Sequence, residues 1–283
     1  MTALSLRLPS LEGGDPWIVH QKLFDILNEY LQPTSSTISS AAAKEIDSLT
    51  PKKRQGLGSS DDAKPKEDYE SFLMETWGTF IEIARQIPSE HASQDRLVEL
   101  VKALSELPAT NAEIWGLCIL TYIPLAPASG DKSASSNDAQ RWINQNAFAA
   151  RLLNLEKVSW SNFAVWSLRS ALEENVTSDE SHKCNVAAAA QWMMYSGPYL
   201  LKEVKSDAAK EVQEQEADNG EAKPNKGQPL AAGTLYKGKG KERLCPERWQ
   251  FWKQQFGEIA QQGGEENVKS VAQLAKEKMD SAE

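Results

Sequence analysis

Five polar residues are set inside apolar runs of this chain: Asn144, Asn146, Arg151, Arg169 and Gln191. Two tryptophans, Trp142 and Trp192, stand beside them. Amide and guanidinium groups among apolar side chains have two uses. They can converge on a pocket and fix a small ligand with a few placed hydrogen bonds. They can also satisfy the carbonyls left over at helix ends and inter-helix turns, which is the commoner use. Both remain open from the sequence, and the seven residues together form the candidate groove or pocket.

Covalent or acid–base catalysis would require a nucleophile, a base and an orienting group that converge. The three histidines and three cysteines are scattered, and no nucleophile-elbow or Gly-rich motif joins them. His20 lies on the apolar side of the first expected helix, where a satisfied core histidine is commoner than a metal ligand. His182 stands next to a helix start without a partner for catalysis. No His-Glu-x-x-His pattern or carboxylate cluster suggests a metal. Gly238 and Gly240 alternate with lysines, but they follow no strand and open no helix with Ser or Thr after the Lys, which is not a P-loop. No catalytic, cofactor-binding or metal residue is therefore assigned, no cofactor is expected, and a non-enzyme is favoured over an enzyme.

The element that positions the candidates is the stretch from Arg141 to Leu201. Four of the nine tryptophans fall there: Trp142, Trp160, Trp166 and Trp192. On a wheel of about 100° per residue, Trp142, Asn146, Ala149 and Leu153 share one line. Ile143, Ala147, Phe148, Ala150 and Leu152 spread apolar surface most of the way round, leaving a narrow polar strip of Asn144 and Arg151. Such a helix is central and packed on several sides.

Helical spacing recurs along the rest of the chain, and no alternating run of strand length interrupts it. The fold class is all-α, a multi-helix bundle of stacked antiparallel helical hairpins with long polar linkers. Residues 1–14 read as a flexible N-terminus. A helix docked on the core follows over 15–32, with Asp15 as its cap and Pro16 at its first position. Residues 33–67 read as a disordered linker and 68–204 as the helical core, with one of its helices running from Asn111 to Tyr122. Gly197-Pro198 should kink or restart the helix that carries Trp192. Residues 205–243 read as a linker, disordered or partly helical, and 244–283 as a Trp-rich helix docked on the core plus a weaker terminal helix that could be exposed. Arg169 and Glu173 are spaced to pair along an outer helix surface, a contact worth little.

At 283 residues and net charge −9, the chain reads as a soluble protein that does not wrap nucleic acid or anionic membrane. No secretory leader or membrane-length apolar run is evident. Cys118, Cys184 and Cys245 are odd in number and widely spaced, which suits a reducing compartment. The expected location is the cytoplasm. Lys52-Lys53-Arg54 would add the nucleus if it were an import patch, although a basic triplet in a flexible loop is usually just solvated. Asn175-Val176-Thr177 matches a glycosylation acceptor that a protein without a secretory route would not use.

Separated motifs give the chain a resemblance. Trp77-x-x-Phe80 is followed by Ile87-Pro88 and by Gln94-x-x-Leu97-Val98. The most specific run is Trp142-x-Asn144-x-Asn146-Ala147-Phe148-Ala149-Ala150-Arg151-Leu152. Then come Phe163-Ala164-x-Trp166-Ser167-Leu168-Arg169-x-Ala171-Leu172-Glu173, Ala189-Ala190-Gln191-Trp192, and Arg248-Trp249-x-x-Trp252-Lys253-x-x-Phe256. In this order they resemble the uncharacterised family catalogued as domain of unknown function 3632, over roughly residues 69–260. The resemblance implies a fungal, intracellular, helical protein and lends no activity.

The expected function is a non-enzymatic protein-interaction or scaffolding module with an unidentified protein partner. The alternative is a small-molecule-binding protein, or an enzyme with an unrecognised site between helices. Nucleic acid and membrane are not expected partners, since only YKGKGKER and PKKR are basic and neither is interleaved with stacking aromatics. Oligomeric state is open.

Overall fold

The structure is a computed structural model that describes residues 2–13, 17–54, 69–107, 136–156, 158, 160–175, 179–217, 230–262 and 265–283. After a 3-10 turn at Pro9–Leu11 come α1 (Ile18–Leu31), α2 (Ser39–Ser48), α3 (Pro51–Arg54), α4 (Tyr69–Gln86) and α5 (Ser93–Ser105). Then follow α6 (Ser136–Leu153), α7 (Ser161–Leu172), α8 (Asp179–Ala217), α9 (Pro246–Gln261) and α10 (Glu266–Ala282). Among the described residues there is no strand, and the fold is all-α. The helix expected from Asn111 to Tyr122, with Cys118, lies outside the described residues, as do Asp15 and Pro16. The chain divides into two compact units, residues 1–148 and 149–283, with the division inside α6. Every residue of α6 from Asn144 to Leu153 is buried, including the strip expected to be polar.

In the first unit, α1 buries Val19, Leu23, Leu27, Tyr30 and Leu31, a stripe of helical period against α2, α4 and α5. The last carbonyls of α1 have no intrahelical donors, and α5 supplies them. Arg96 donates to the Tyr30 carbonyl through Nη2 at 2.6 Å, and Ser93 Oγ donates to the Leu31 carbonyl at 2.6 Å. Residues expected to be a flexible N-terminus are held by two glutamines. Gln32 accepts from the Leu4 amide and donates to the Leu4 carbonyl, at 3.1 and 3.2 Å. Gln86 does the same for Arg7, at 2.8 and 2.7 Å. A side-chain amide offers the donor–acceptor pair of a neighbouring strand, so the segment is fixed without a sheet, and Leu6 and Leu8 are buried beside it.

The expected linker over 33–67 holds α2 and α3. The polar look of Ser39–Ser48 hides a stripe of Ala42, Ala43 and Ile46, all fully buried, whose small side chains let α2 pack closely on α5. In α3, Lys53 pairs with Asp47, and Arg54 donates to the Leu49 carbonyl while lying over the rings of Trp17 and Phe72. Arg54 is committed to the fold and is not a solvated loop charge.

The second unit packs α7 and α10 on α8, and α9 on α7, α8 and α10. Helix α8 runs unbroken through Pro198. That residue is exposed, so water can serve the carbonyl its ring displaces. Pro246 opens α9 at the first helical position, and Trp249, Trp252 and Phe256 form its buried stripe. The terminal helix α10 is not loose. It buries Ala272, Ala275 and Met279. Residues 230–243, also expected to be linker, form a turn-rich segment that buries Gly233 and Tyr236.

Candidate functional site

Three of the seven candidate residues, Trp142, Asn144 and Asn146, lie in the first unit. The other four, Arg151, Arg169, Gln191 and Trp192, lie in the second. Asn144 Nδ2 donates to the Arg85 carbonyl at 2.8 Å, and its Oδ1 accepts from Gln140 at 2.9 Å. Gln94 Nε2 donates to the carbonyls of Ala84 and Ile87, at 3.0 and 2.8 Å. Two buried amides thus close the C-terminal turn of α4. Beside them Arg141 Nη2 donates to both carboxylate oxygens of Glu82, at 2.8 and 2.7 Å, and Arg85 Nε donates to Gln145 at 2.7 Å. Burial lowers the Arg85 pKa, and the Glu82 carboxylate opposes that shift. Asn146 donates back to the Trp142 carbonyl one turn earlier, at 2.9 Å. Trp142 itself is half-buried.

In the second unit, Arg151 stacks its guanidinium on the Tyr195 ring, 3.5 Å from the centroid. Gln191 donates to the Ala187 carbonyl at 3.3 Å, and the Trp192 indole donates to Ser167 Oγ at 3.2 Å. Arg169 reaches the Ala231 carbonyl at 3.4 Å and the Glu174 carboxylate at 3.6 Å. Among the histidines, His20 sets Nε2 3.0 Å from Glu75 Oε2, an ion pair when the ring is protonated. Burial lowers the His182 pKa, partly offset by Asp179. Among the described residues no three His, Cys, Asp or Glu side chains group as metal ligands.

Glu173 is not on an outer surface and does not pair with Arg169. Its carboxylate meets Arg248 in a two-point contact, Nε to Oε1 at 2.7 Å and Nη2 to Oε2 at 3.0 Å, with neither side chain exposed. The Trp252 indole N–H donates to Oε1 at 2.6 Å and the Gly233 amide to Oε2 at 2.8 Å. Arg248 spends its remaining donors on the carbonyls of Leu230 (2.6 Å), Ala231 (3.1 Å) and Arg243 (3.5 Å). One node therefore ties the end of α7, the 230–243 segment and α9. The sequence signal was slight: Arg248 stands one turn before Trp252, on the flank of the α9 stripe.

A shallow groove of about 400 Å³ lies on the other side of α9. Glu247, Gln250, Phe251 and Gln254 recur at three and four residues and line it. Lys239, from the preceding segment, lies over the Phe251 ring at 4.8 Å from the centroid. Lys253 and Lys276 complete it and already hold carboxylates. Lys253 pairs with Glu283 at 2.7 Å and Asp280 at 3.2 Å, and Lys276 pairs with Asp280 at 2.6 Å. Hydrogen bonding to Glu283 raises the Lys253 pKa, and the lysines lower those of Glu283 and Asp280. Beneath the groove Tyr236 is buried, with its hydroxyl 3.6 Å from Cys245 Sγ, and burial raises its pKa.

The family described as "Protein of unknown function (DUF3632)" matches residues 77–256. The chain belongs to it. The match takes in the Asn144–Gln94 closure of α4, the Glu173–Arg248 node and the α9 face of the groove, whereas α1, α2 and α10 lie outside it. For this DUF3632 member, no curated protein and no solved structure gives a match. Among the described residues no helix is long and apolar enough to cross a membrane.

Proposed function

We propose that this DUF3632 protein is a non-enzymatic protein-interaction module of a scaffolding kind, working in the cytoplasm with a protein partner. One observation carries the reading: the polar groups best suited to chemistry are spent on the chain itself. Asn144 and Gln94 close α4, and Glu173 and Arg248 close on each other. The second unit also presents a charged groove with an aromatic floor, the kind of surface that takes a polypeptide. Half-buried Cys184 and buried Cys245, both free thiols, suit a reducing compartment.

A second reading, a small-molecule binder with its site between helices, has one observation in its favour. Gln191 Oε1 and Trp160 Nε1 are buried without a hydrogen-bond partner, the sort of group a ligand would satisfy. Thermal denaturation against a panel of metabolites separates the two. A ligand at a hundred times its Kd stabilises by about 2.7 kcal/mol. The interaction reading expects no such gain. A compound that raises the midpoint in the parent protein but not in Gln191→Ala overturns it.

A further inference from the structure

The loop Lys237–Arg243 and the outward face of α9 form one surface in the second unit, and each half has a feature that the fold alone leaves unexplained. On α9, Trp249, Trp252 and Phe256 point inward. Phe251 lies on the opposite side of the wheel, an aromatic ring left half-buried in a groove. In the loop, lysines alternate with glycines, and both glycines are required. Gly238 has φ +78°, in the left-handed region that favours glycine. A Cβ on Gly240 would overlap the Tyr236 hydroxyl. Tyr236 anchors the loop from below, its ring 5.2 Å from that of Phe251. The loop is therefore built to one shape, and that shape presents cations. Lys237 and Lys239 are exposed and have no carboxylate partner among the described residues.

We infer that this groove is a docking site for an acidic, extended segment of a partner protein, with a carboxylate on Lys239 of its lining, an apolar side chain on Phe251, and a further carboxylate on Lys237, two residues before Lys239 and outside the lining. The inference rests on the interaction reading above and names the chemistry of the partner. Charge complementarity selects the occupant. The two cations stand out on a chain of net charge −9. The neighbouring lysines show the same preference, since Lys253 and Lys276 both hold the Asp280 carboxylate of α10. A dense polyanion such as nucleic acid fits less well. Glu247 lines the groove, and the field of the whole chain repels it. A peptide places its charges singly, and its backbone can use the amide oxygens of Gln250 and Gln254, whose NH₂ groups are committed to Glu283 and Glu258.

Fluorescence anisotropy with the full chain tests this. The probe is a fluorescein-labelled nonapeptide of glutamate and aspartate around one central phenylalanine. Expected is saturable binding that weakens with salt and falls about tenfold in Lys239→Glu and in Lys237→Glu, as when an attractive rim charge turns repulsive. Lys102→Glu, an exposed α5 lysine of the other unit, should leave affinity unchanged. Circular dichroism checks that each variant is folded. Four results would overturn the inference: no saturable binding, an equal loss with Lys102→Glu, tighter binding of a single-stranded oligonucleotide of equal charge, or self-association abolished by Lys239→Glu without peptide binding. If the peptide fails while the protein still travels with a stoichiometric partner, the groove assignment falls and the interaction reading stands.

Discussion

Glu173 and Arg248, 75 residues apart in sequence, meet in a fully buried two-point ion pair. Every remaining donor of Arg248 that the pair leaves over finds a backbone carbonyl, and both carboxylate oxygens take a second donor. A buried pair of this kind is costly to break from one side, because the survivor is left buried without its counter-charge. Glu173→Ala should destabilise by about 3–5 kcal/mol. Arg248→Lys should also destabilise, since an ammonium cannot reproduce the fork. Urea midpoints followed by near-UV circular dichroism read both. An unshifted midpoint in either variant would mean that the pair carries no structural weight.

Gly233 sits against this pair with no room for a side chain. A Cβ there would lie 2.6 Å from both Glu173 Cβ and the Glu173 carbonyl oxygen, and backbone cannot swing aside. Gly233→Ala should cost about 1–3 kcal/mol. Gly78, exposed in mid-α4 with nothing near its Cβ position, is the contrast. Gly78→Ala should stabilise by about 0.5–1 kcal/mol. Opposite shifts of the urea midpoint are the expected result.

These two glycines show how unevenly the sequence exposes its own fold. Periodic stripes were legible: Trp249, Trp252 and Phe256 mark the inner face of α9, and the all-α class follows from many such runs. Trp192 reads as core and is buried, so Trp192→Ala should cost about 3–5 kcal/mol. Trp142 looks alike in sequence but is half-buried, and its truncation should cost less. Illegible features depend on distant partners. Glu173 has a plausible neighbour at Arg169, and nothing local says that it turns instead to a residue in another helix. Gln32 and Gln86 look like surface residues until Leu4 and Arg7 arrive as backbone partners. Helix α2 hides because its buried face is made of alanine, which carries little hydropathy. For the candidate residues, the sequence marked which polar groups were embedded but not that they fall in two units.

Helix α10 should hold to α9 in a pH-dependent way. Glu283 bonds to the Trp249 indole at 3.0 Å and to Lys253 at 2.7 Å. The pKa values of Glu283 and Asp280 are lowered in the folded protein, so their contribution is present above the ordinary carboxylate range and is lost as pH falls through the lowered values. Lys253 is raised, so its part is lost only at high pH, on passing its raised value. Docking should be constant across neutral pH and loosen in acid, below about pH 4. The Trp249 indole N–H resonance should move over that acid limb in the parent protein and not in Glu283→Gln. A resonance unmoved in the parent would contradict the contact.

Burial pushes the Cys184 thiol up to about 11. The thiolate is the reactive form, so labelling at neutral pH should be slow and should rise about tenfold per pH unit toward 11. Peptide-resolved mass spectrometry after iodoacetamide treatment follows this residue separately from the other cysteines. Rapid labelling at neutral pH would show a thiol far less buried than the structure places it.

Intact-mass measurement under non-denaturing conditions, on protein isolated gently from its native cells, bears most directly on the interaction reading. A stoichiometric complex with another polypeptide is the predicted result, and it should dissociate more readily with Lys239→Glu. A monomer that retains a small adduct through desolvation, or a bare monomer, would contradict it.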